Sequence, residues 1–386
     1  MEVPPPEELK QPLVVPYKLL MGPGPSNPPP RVMNALTHPI LGHMHEEMFQ
    51  IMDDIKKGIQ YVFQTKSKLT LALSASGHSG MEAIFSNLIE PGDRVLVLVN
   101  GYWGQRASDI AKRHGAQVKT LVQIGDTFSI ITIDNAIQTF RPKLLFIIHG
   151  ETSTGVCQPL EGIGEITKRY NCLLAVDTVA SLAAVPFKMD AWKIDVAYTG
   201  SQKMLQAPAG ITPIAFSDRA QHVIFTRKSE VPVYYVDMKI LGRQWGCFDS
   251  SRTYHHTTCS SLLYALREAL ALAVEEGLEN RIEKQKFCAQ KLYEGLQNLG
   301  FEFYVEEEYK RLPSVTTVKV PQGINSNEVV AYVMKKFHID IQGGLGPTAG
   351  KVFRIGIMGY NTTPEKVAIV LEALKDALHN CRKSKF

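Results

Sequence analysis

Hydrophobic residues recur along the first part of the chain with two alternating periods. Over residues 48–63 they recur at helical spacing, and over Leu69–Leu73 they form a short continuous run that ends in a glycine-containing turn. Polar segments of helical length, such as residues 103–114 and 162–170, separate further short apolar runs at 95–99, Leu144–Ile148, 173–176 and Val196–Tyr198. This alternation predicts an α/β fold with a mostly parallel sheet that helices cover on both faces.

The pattern changes from about residue 260 onward. Helical periods over 262–273 and 278–299 lead into strand-like runs at 301–305, 315–320 and 352–357, and then into a helical segment at 364–379. Near the N-terminus, the proline-rich segment 23–30 predicts an extended arm or loop, because proline is excluded from helix interiors and central strands. The sequence therefore predicts an N-terminal arm (1–25), a large domain (26–275) and a smaller C-terminal α/β domain (276–386).

Composition narrows the classes of function. The 386 residues are 45% hydrophobic, which is enough for a large buried core, and the formal net charge of +4 is spread without long single-sign runs, so we expect no nucleic-acid surface. No run approaches the roughly 18 apolar residues of a membrane span. The six cysteines contain no C-x-x-C pair, and the histidine pairs His43/His45 and His255/His256 lack the spacing of a zinc site. We therefore expect a protein without a membrane span or a metal site.

Two residues suggest a specific chemistry. Asp177 closes the apolar run 173–176, and Lys203 follows it by 26 residues in the segment Gly200-Ser201-Gln202-Lys203. A pyridoxal-phosphate enzyme needs a lysine amine to form a Schiff base with the cofactor aldehyde, and a carboxylate to keep the pyridine nitrogen protonated. Taken singly, Asp177 fits a helix cap and Lys203 a solvated lysine. Together, in this chain order, they favour the pyridoxal-phosphate interpretation.

Three further features agree with it. The turn Ser76-Gly77-His78 follows a predicted strand and opens a predicted helix, where orphan amides favour a phosphate. Trp103 begins another predicted helix and either covers a flat ligand or packs in the core. Arg354 lies in the apolar run 352–357 and needs a carboxylate partner, either from the protein or from a substrate.

These residues resemble the class V, fold-type I aminotransferases, and within them the alanine:glyoxylate (serine:pyruvate) group. The resemblance covers nearly the whole chain and rests on several strings in combination: Met21-Gly22-Pro23-Gly24-Pro25-Ser26-Asn27, Gly150-Glu151-Thr152-Ser153, Asp177-Thr178-Val179-Ala180, Tyr254-His255-His256-Thr257 and Gly343-Gly344-Leu345-Gly346-Pro347. It implies pyridoxal 5'-phosphate as cofactor, small amino-acid and 2-oxo-acid substrates, and a homodimer with shared active sites.

The resemblance also implies roles for individual residues. Lys203 and Asp177 would be catalytic, and Arg354, Gly24 and His43 would contact the substrate. The cofactor would be bound by Ser76, Gly77, His78, Trp103, Thr152, Asp177, Gln202 and Lys203 of one subunit, with Tyr254 and Thr257 contributed by the other.

The implied reaction moves the amino group of alanine, or serine, to glyoxylate and gives pyruvate and glycine. Insect relatives that act on 3-hydroxykynurenine are an alternative, but they carry Ser-Asn where this chain has Gly42-His43, which favours small substrates. A more distant alternative is a cysteine desulfurase, which needs a mobile catalytic cysteine.

The two ends of the chain bear on its location. The N-terminal residues lack the apolar core of a secretory signal, and the last three residues, Ser384-Lys385-Phe386, differ by one residue from the peroxisomal Ser-Lys-Leu signal. We expect a peroxisomal location, with the cytoplasm as the alternative.

Overall fold

The computed structural model of the protein describes residues 3–382. Its helices are α1 (Pro30–Ala35), α2 (Glu46–Phe63), α3 (His78–Leu88), α4 (Tyr102–Arg113), α5 (Ile130–Phe140), α6 (Ile163–Arg169), α7 (Asp218–Thr226), α8 (Met238–Gln244), α9 (Ser260–Glu276), α10 (Leu278–Asn298), α11 (Ser326–Phe337) and α12 (Pro364–Arg382). Its strands are β1 (Leu19–Leu20), β2 (Leu69–Leu73), β3 (Arg94–Val99), β4 (Gln117–Val122), β5 (Leu144–Ile148), β6 (Gly150–Glu151), β7 (Val156–Cys157), β8 (Leu173–Asp177), β9 (Val196–Tyr198), β10 (Thr212–Phe216), β11 (Val315–Lys319), β12 (Ile339–Asp340), β13 (Gln342–Gly343) and β14 (Val352–Gly356).

A seven-stranded sheet forms the centre of the molecule, with the strand order β2-β10-β9-β8-β5-β3-β4. Strands β3, β4, β5, β8 and β9 pair in parallel, whereas β10 pairs antiparallel with both of its neighbours. Every residue of β2, β5, β8, β9 and β10 is buried, so both faces of the sheet are covered. The predicted mostly parallel, doubly covered sheet is confirmed.

Strand β10 is a central element that the sequence pattern did not predict, and β4, α5 and α11 were not predicted either. Pro213 lies in its middle and lacks the N–H that a strand donates to its neighbours, which obscures the signal of a central strand. The sheet tolerates this proline because its carbonyl still accepts a hydrogen bond from the amide of Thr199 (3.0 Å).

Two local predictions were wrong. Residues 301–305 do not form a regular strand; Phe301 and Phe303 point into a core in an alternating manner, but only one isolated bridge, Phe303↔Val318, pairs the segment. The Tyr304 amide donates to the Thr317 carbonyl (3.0 Å) and the Lys319 amide to the Glu302 carbonyl (2.7 Å), so the segment makes one hydrogen-bonded bridge to β11 in place of a full ladder. Pro30 belongs to helix α1 rather than to the preceding loop, because a proline is compatible with the first position of a helix.

The buried hydrophobic side chains form two main clusters. One surrounds the central sheet and draws on residues 35–273, and the other lies between β11–β14 and helices α10, α11 and α12. Leu19 and Met21 of the N-terminal segment belong to the second cluster, because β1 pairs in parallel with β12. The division of the chain at residues 25 and 275 stays a prediction. Within residues 3–382, no helix has the length and apolarity needed to span a bilayer.

The topology brings the candidate residues to one edge of the sheet. Strands β8 and β9 are parallel neighbours that end in register at Asp177 and Tyr198, and β5 ends beside them at Ile148. Ligands bind in open α/β sheets at the carboxyl ends of the strands. The segment that follows β9 and carries Lys203 lies at the same edge.

Gly356, at the end of β14, sits against the N-terminal segment. Its amide donates to the carbonyl of Met21 (2.7 Å), and a Cβ atom at this position would lie 1.8 Å from the carbonyl oxygen of Gly22. We expect Gly356→Ala to destabilise the fold by about 1–3 kcal/mol, because the backbone must move apart. Thermal unfolding measures the change. Gly343→Ala is the matched control, since its Cβ would meet nothing within 4 Å, and equal melting temperatures for the two variants would contradict the prediction.

Candidate active site

A cavity of about 260 Å³ opens at the carboxyl edge of the sheet. This volume lies near the small end of the range for ligand pockets, about 300–1,000 Å³, which suits a small ligand. Eight lining residues were predicted for the site from the sequence: Ser76, Gly77, His78, Trp103, Thr152, Asp177, Gln202 and Lys203. The other lining residues are Met81, Ile148, Gly150, Val179, Ala180 and Tyr198.

Asp177 forms the buried end of the cavity and is only 6% exposed. Its carboxylate accepts hydrogen bonds from the amide of Val179 (2.8 Å) and from the hydroxyl of Tyr198. Burial raises the pKa of Asp177 to about 6, against the opposing effects of Tyr198, Val179 and Lys203. A cation placed in the cavity would therefore favour the ionised carboxylate.

Tyr198 was missed by the sequence analysis. Burial and the neighbouring Asp177 carboxylate raise the pKa of its phenol well above the ordinary value, so the hydroxyl stays a donor. Both residues end apolar runs, but their contact depends on the pairing of β8 with β9, which neither run reveals alone.

Lys203 approaches the cavity from the loop after β9. Its ammonium group donates to the carbonyl of Pro23, and a Cβ atom at Gly24 would lie 2.4 Å from the lysine Nζ. Gly24 also has a φ of +101°, so this close approach of backbone and amine requires glycine. Burial, reinforced by the positive charge of Arg354 and opposed by Asp177, lowers the pKa of Lys203 to about 8. The amine is thus a better nucleophile near neutral pH than an ordinary lysine.

An aromatic wall faces this end of the cavity. The indole Nε1 of Trp103 donates to the hydroxyl of Thr152 (2.8 Å), and the His78 ring packs edge-to-face against the indole with centroids 5.4 Å apart. Burial and the neighbouring Arg106 lower the pKa of His78, so the imidazole is neutral at physiological pH. The wall presents a flat apolar surface with a hydroxyl at its edge.

The opposite end of the cavity favours an anion. Helix α3 begins at His78 after Gly77, which supplies no side-chain cap to the first-turn amides. The side-chain oxygen of Gln202 is buried and has no hydrogen-bond partner among residues 3–382. A ligand phosphate would be matched to the helix end, and the N–H₂ group of Gln202, which lines the cavity, would donate to it.

Arg354 lies on β14 and is 8% exposed. Its Nε donates to the carbonyl of Gly343 (2.7 Å), and within the described part of the chain its terminal nitrogens have no carboxylate partner in contact. Burial lowers the pKa of Arg354 to about 10, against the attraction of Glu151 and Asp340. The group remains charged, and its planar fork is available to a carboxylate.

Three residues predicted for the site lie elsewhere in the single chain. Tyr254 is 56% exposed and its ring lies 4.9 Å from that of His43. Thr257 and His43 line a separate pocket on the surface. Their assignment to the cofactor and substrate stays a prediction, and within one chain the structure does not bring them to the Lys203 cavity.

The lining fits pyridoxal phosphate. An amine of depressed pKa, a buried carboxylate, an aromatic wall and a helix end without a side-chain cap correspond, in this order, to its aldehyde, ring nitrogen, ring face and phosphate. Over residues 3–382, no group of three or more histidine, cysteine or carboxylate side chains is arranged to bind a metal ion.

Comparison with known proteins identifies the family. The family model described as aminotransferase class V matches residues 20–369. The chain belongs to the class V aminotransferases. It is 52% identical to an alanine–glyoxylate aminotransferase of Felis catus over 99% of this chain and 93% of the relative, and 50% identical to one of Drosophila melanogaster over 99% and 98%. The crystal structure of an alanine–glyoxylate aminotransferase from Nostoc sp. superposes with a TM-score of 0.93 at 43% identity, covering 95% of this chain and 97% of that one.

Membership of this family confirms three predictions. The chain is an aminotransferase, its fold is that of the fold-type I enzymes, and its cofactor is pyridoxal 5'-phosphate. The cavity that contains Lys203 and Asp177 is therefore the candidate active site.

The charge of Arg354 should control the ionisation of Lys203. We expect Arg354→Gln to raise the pKa of the lysine above about 8, because a neighbouring positive charge that favours the neutral amine is lost. The pH dependence of amine modification in the cofactor-free protein, followed at Lys203 by peptide mass spectrometry, measures this shift.

Arg354→Lys is the matched control. It keeps the positive charge, so the midpoint for Lys203 should stay near that of the parent. An unchanged midpoint in Arg354→Gln would refute the electrostatic coupling.

Proposed function

We propose that this protein transfers the amino group of alanine to glyoxylate, giving pyruvate and glycine, with serine as a second donor. The observation that carries the proposal is one buried guanidinium, Arg354, that lacks a carboxylate partner among residues 3–382 and lies beside Lys203. Such a site accepts one carboxylate, as alanine and glyoxylate both have. The full-length similarity to alanine–glyoxylate aminotransferases supports the same substrates.

The chain's own residues divide the work of the reaction. Bound pyridoxal phosphate supplies a carbonyl carbon that takes up the amino group and a ring that accepts electrons. Arg354 binds the substrate carboxylate, and Asp177 keeps a negative charge beside the ring nitrogen. Lys203 would hold the cofactor through its amine, and once the substrate amine has taken its place the neutral Nζ would accept the proton from the substrate Cα.

The charges around Arg354 oppose larger acidic substrates. Glu151 and Asp340 are the carboxylates whose attraction acts on this guanidinium, and their negative charge would repel a second substrate carboxylate near it. We expect aspartate and glutamate to be poor donors.

The loop at Gly42 bears on the 3-hydroxykynurenine alternative. The Nδ1 atom of His45 accepts a hydrogen bond from the Gly42 amide (3.2 Å). A Cβ atom at Gly42 would lie 2.7 Å from the same imidazole ring. A serine at this position would displace that imidazole, so the arrangement in this chain differs from the one implied for the kynurenine enzymes. This supports the small-substrate proposal.

We further propose a homodimer in which Tyr254 and Thr257 complete the partner's active site. Two observations support it: Tyr254 is exposed beside His43, and the N-terminal segment exposes several large apolar side chains, namely Leu9, Leu13, Val14, Val15 and Tyr17. These side chains have no core to enter in the single chain, and a second copy would cover them.

The peroxisomal location stays a prediction. The residues on which it rests, Ser384-Lys385-Phe386, lie outside the described residues, and the cytoplasm remains the alternative.

A panel of amino donors tests the proposed reaction. Purified holoenzyme should convert alanine and glyoxylate fastest, serine more slowly, and 3-hydroxykynurenine, aspartate and glutamate poorly. Lys203→Ala should lower turnover by at least about a hundredfold, because the Cα proton has lost its acceptor, while the cofactor stays bound through its other contacts. Lys68→Ala, at an exposed lysine (74%), is the control.

Several results would contradict the proposal. Preferred use of 3-hydroxykynurenine would favour the alternative transaminase, and sulfide released from cysteine would favour a desulfurase, although none of the cysteines lines the Lys203 cavity within residues 3–382. Near-normal transamination by Lys203→Ala would refute the role of the lysine.

Hybrid dimers test the shared active site. A Lys203→Ala subunit and a subunit with both Tyr254→Ala and Thr257→Ala should each form nearly inactive homodimers. In a mixed dimer one site carries all the substitutions and the other carries none, so mixing should restore activity that neither parent has. Gel filtration gives the oligomeric state, and the absence of any restored activity in verified hybrids would contradict shared sites.

A further inference from the structure

Helix α4 begins at Tyr102, and its first amides need acceptors from outside the helix. The residue before it, Gly101, has no side chain and so cannot supply the usual cap. The amide of Tyr102 donates instead to the Ser153 hydroxyl (2.8 Å), and the amide of Trp103 donates to the Glu151 carboxylate (2.9 Å). The helix is therefore capped by a distant segment of the chain.

Glu151 is the centre of this cap. It is fully buried on β6, and its two oxygens accept three hydrogen bonds. One oxygen accepts both the amide (2.9 Å) and the hydroxyl (2.7 Å) of Ser153, and the other accepts the amide of Trp103. A Cβ atom at Gly101 would lie 2.3 Å from the Glu151 Cγ, so the glycine makes room for the carboxylate.

The two segments that Glu151 joins both carry cofactor-facing residues. The first turn of α4 carries Trp103, and the residue after Glu151 is Thr152, whose hydroxyl accepts the indole N–H (2.8 Å). Both line the cavity, whereas Glu151 itself lies behind them. The carboxylate thus fixes the position of the indole relative to the hydroxyl without touching the ligand.

We propose that Glu151 is a positioning residue for transamination, which holds the indole of Trp103 over the cofactor ring through the cap of helix α4. The inference rests on the proposed function, because it concerns the geometry of that active site. All three protein partners of Glu151 are donors, so the cap requires an acceptor at both oxygens. A glutamine would place an N–H₂ group against one of these donors and leave a buried amide unpaired.

Burial raises the pKa of Glu151 to about 7, while the hydrogen bonds from Ser153 and Trp103 oppose this rise. Asp177 adds to it with its negative charge. Burial thus disfavours the charged form of Glu151, and its three hydrogen-bond donors stabilise that form. A buried carboxylate with this arrangement is expected where a specific contact depends on it.

A double-mutant cycle tests the proposal with wild type, Glu151→Gln, Trp103→Phe and the double variant. Equilibrium dialysis gives the affinity for pyridoxal phosphate, and visible circular dichroism of the bound cofactor reports the orientation of its ring. We expect Glu151→Gln to weaken binding by about ten- to one-hundredfold and to change the dichroism. In the Trp103→Phe background the same substitution should change the affinity by no more than about threefold, because the residue acts through the indole.

Asp195→Asn is the control for general destabilisation. This carboxylate is also buried and accepts the Leu174 amide (2.9 Å) and the Ser217 hydroxyl (2.8 Å), but it does not line the cavity. It should lower the melting temperature without changing the dichroism of the cofactor. If Glu151→Gln does not fold, Ser153→Ala takes its place, since it removes the Tyr102 acceptor and should change the dichroism in the same direction.

Two results would overturn the proposal: wild-type affinity and dichroism in the Glu151→Gln protein, or additive effects of Glu151→Gln and Trp103→Phe. Both results are interpreted only when the wild-type protein transaminates alanine and glyoxylate in the same assay series. Absence of that activity in the wild type would instead refute the proposed function.

Discussion

The burial of opposite charges at the carboxyl edge of the central sheet is the constraint on which the site depends. Asp177 and Lys203 are both withdrawn from water, and burial moves their pKa values toward each other, to about 6 and about 8. The neighbours act on these charges in opposite directions: Tyr198 and Lys203 stabilise the Asp177 carboxylate, whereas Arg354 destabilises the Lys203 ammonium. A ligand that brings a cation to the aspartate and a carbonyl to the lysine offsets the desolvation of both charged side chains. This explains why the cavity suits this cofactor.

The parts of this arrangement that lie in continuous apolar runs could be predicted from the sequence. Strand β8 and its terminal Asp177 follow from the run 173–176, and Lys203 follows from its short motif. Tyr198 and Glu151 could not be assigned roles in the same way. Their functions arise from contacts across strands and between distant segments, and the local pattern around each one is only that of a buried strand.

The errors in the predicted fold have the same physical origin. The alternation at residues 301–305 reflects side chains that pack into a core, whereas a strand also needs a partner along its whole length. Strand β10 has such partners on both sides, yet its proline breaks the pattern that would reveal it. The spacing of hydrophobic residues indicates which side chains are buried. Whether a segment forms a strand depends on a neighbouring backbone that can pair with it.

The N-terminal segment links Arg354 to Lys203. Its Leu19 pairs with β12, and the carbonyl of Met21 accepts the amide of Gly356 at the end of the strand that carries Arg354. Two residues later, the carbonyl of Pro23 accepts the Lys203 ammonium. A displacement of β14 relative to the central sheet would therefore pull on the backbone that holds the lysine. Because Arg354 also depresses the lysine pKa, the position of this strand sets both where the amine lies and how readily it loses its proton.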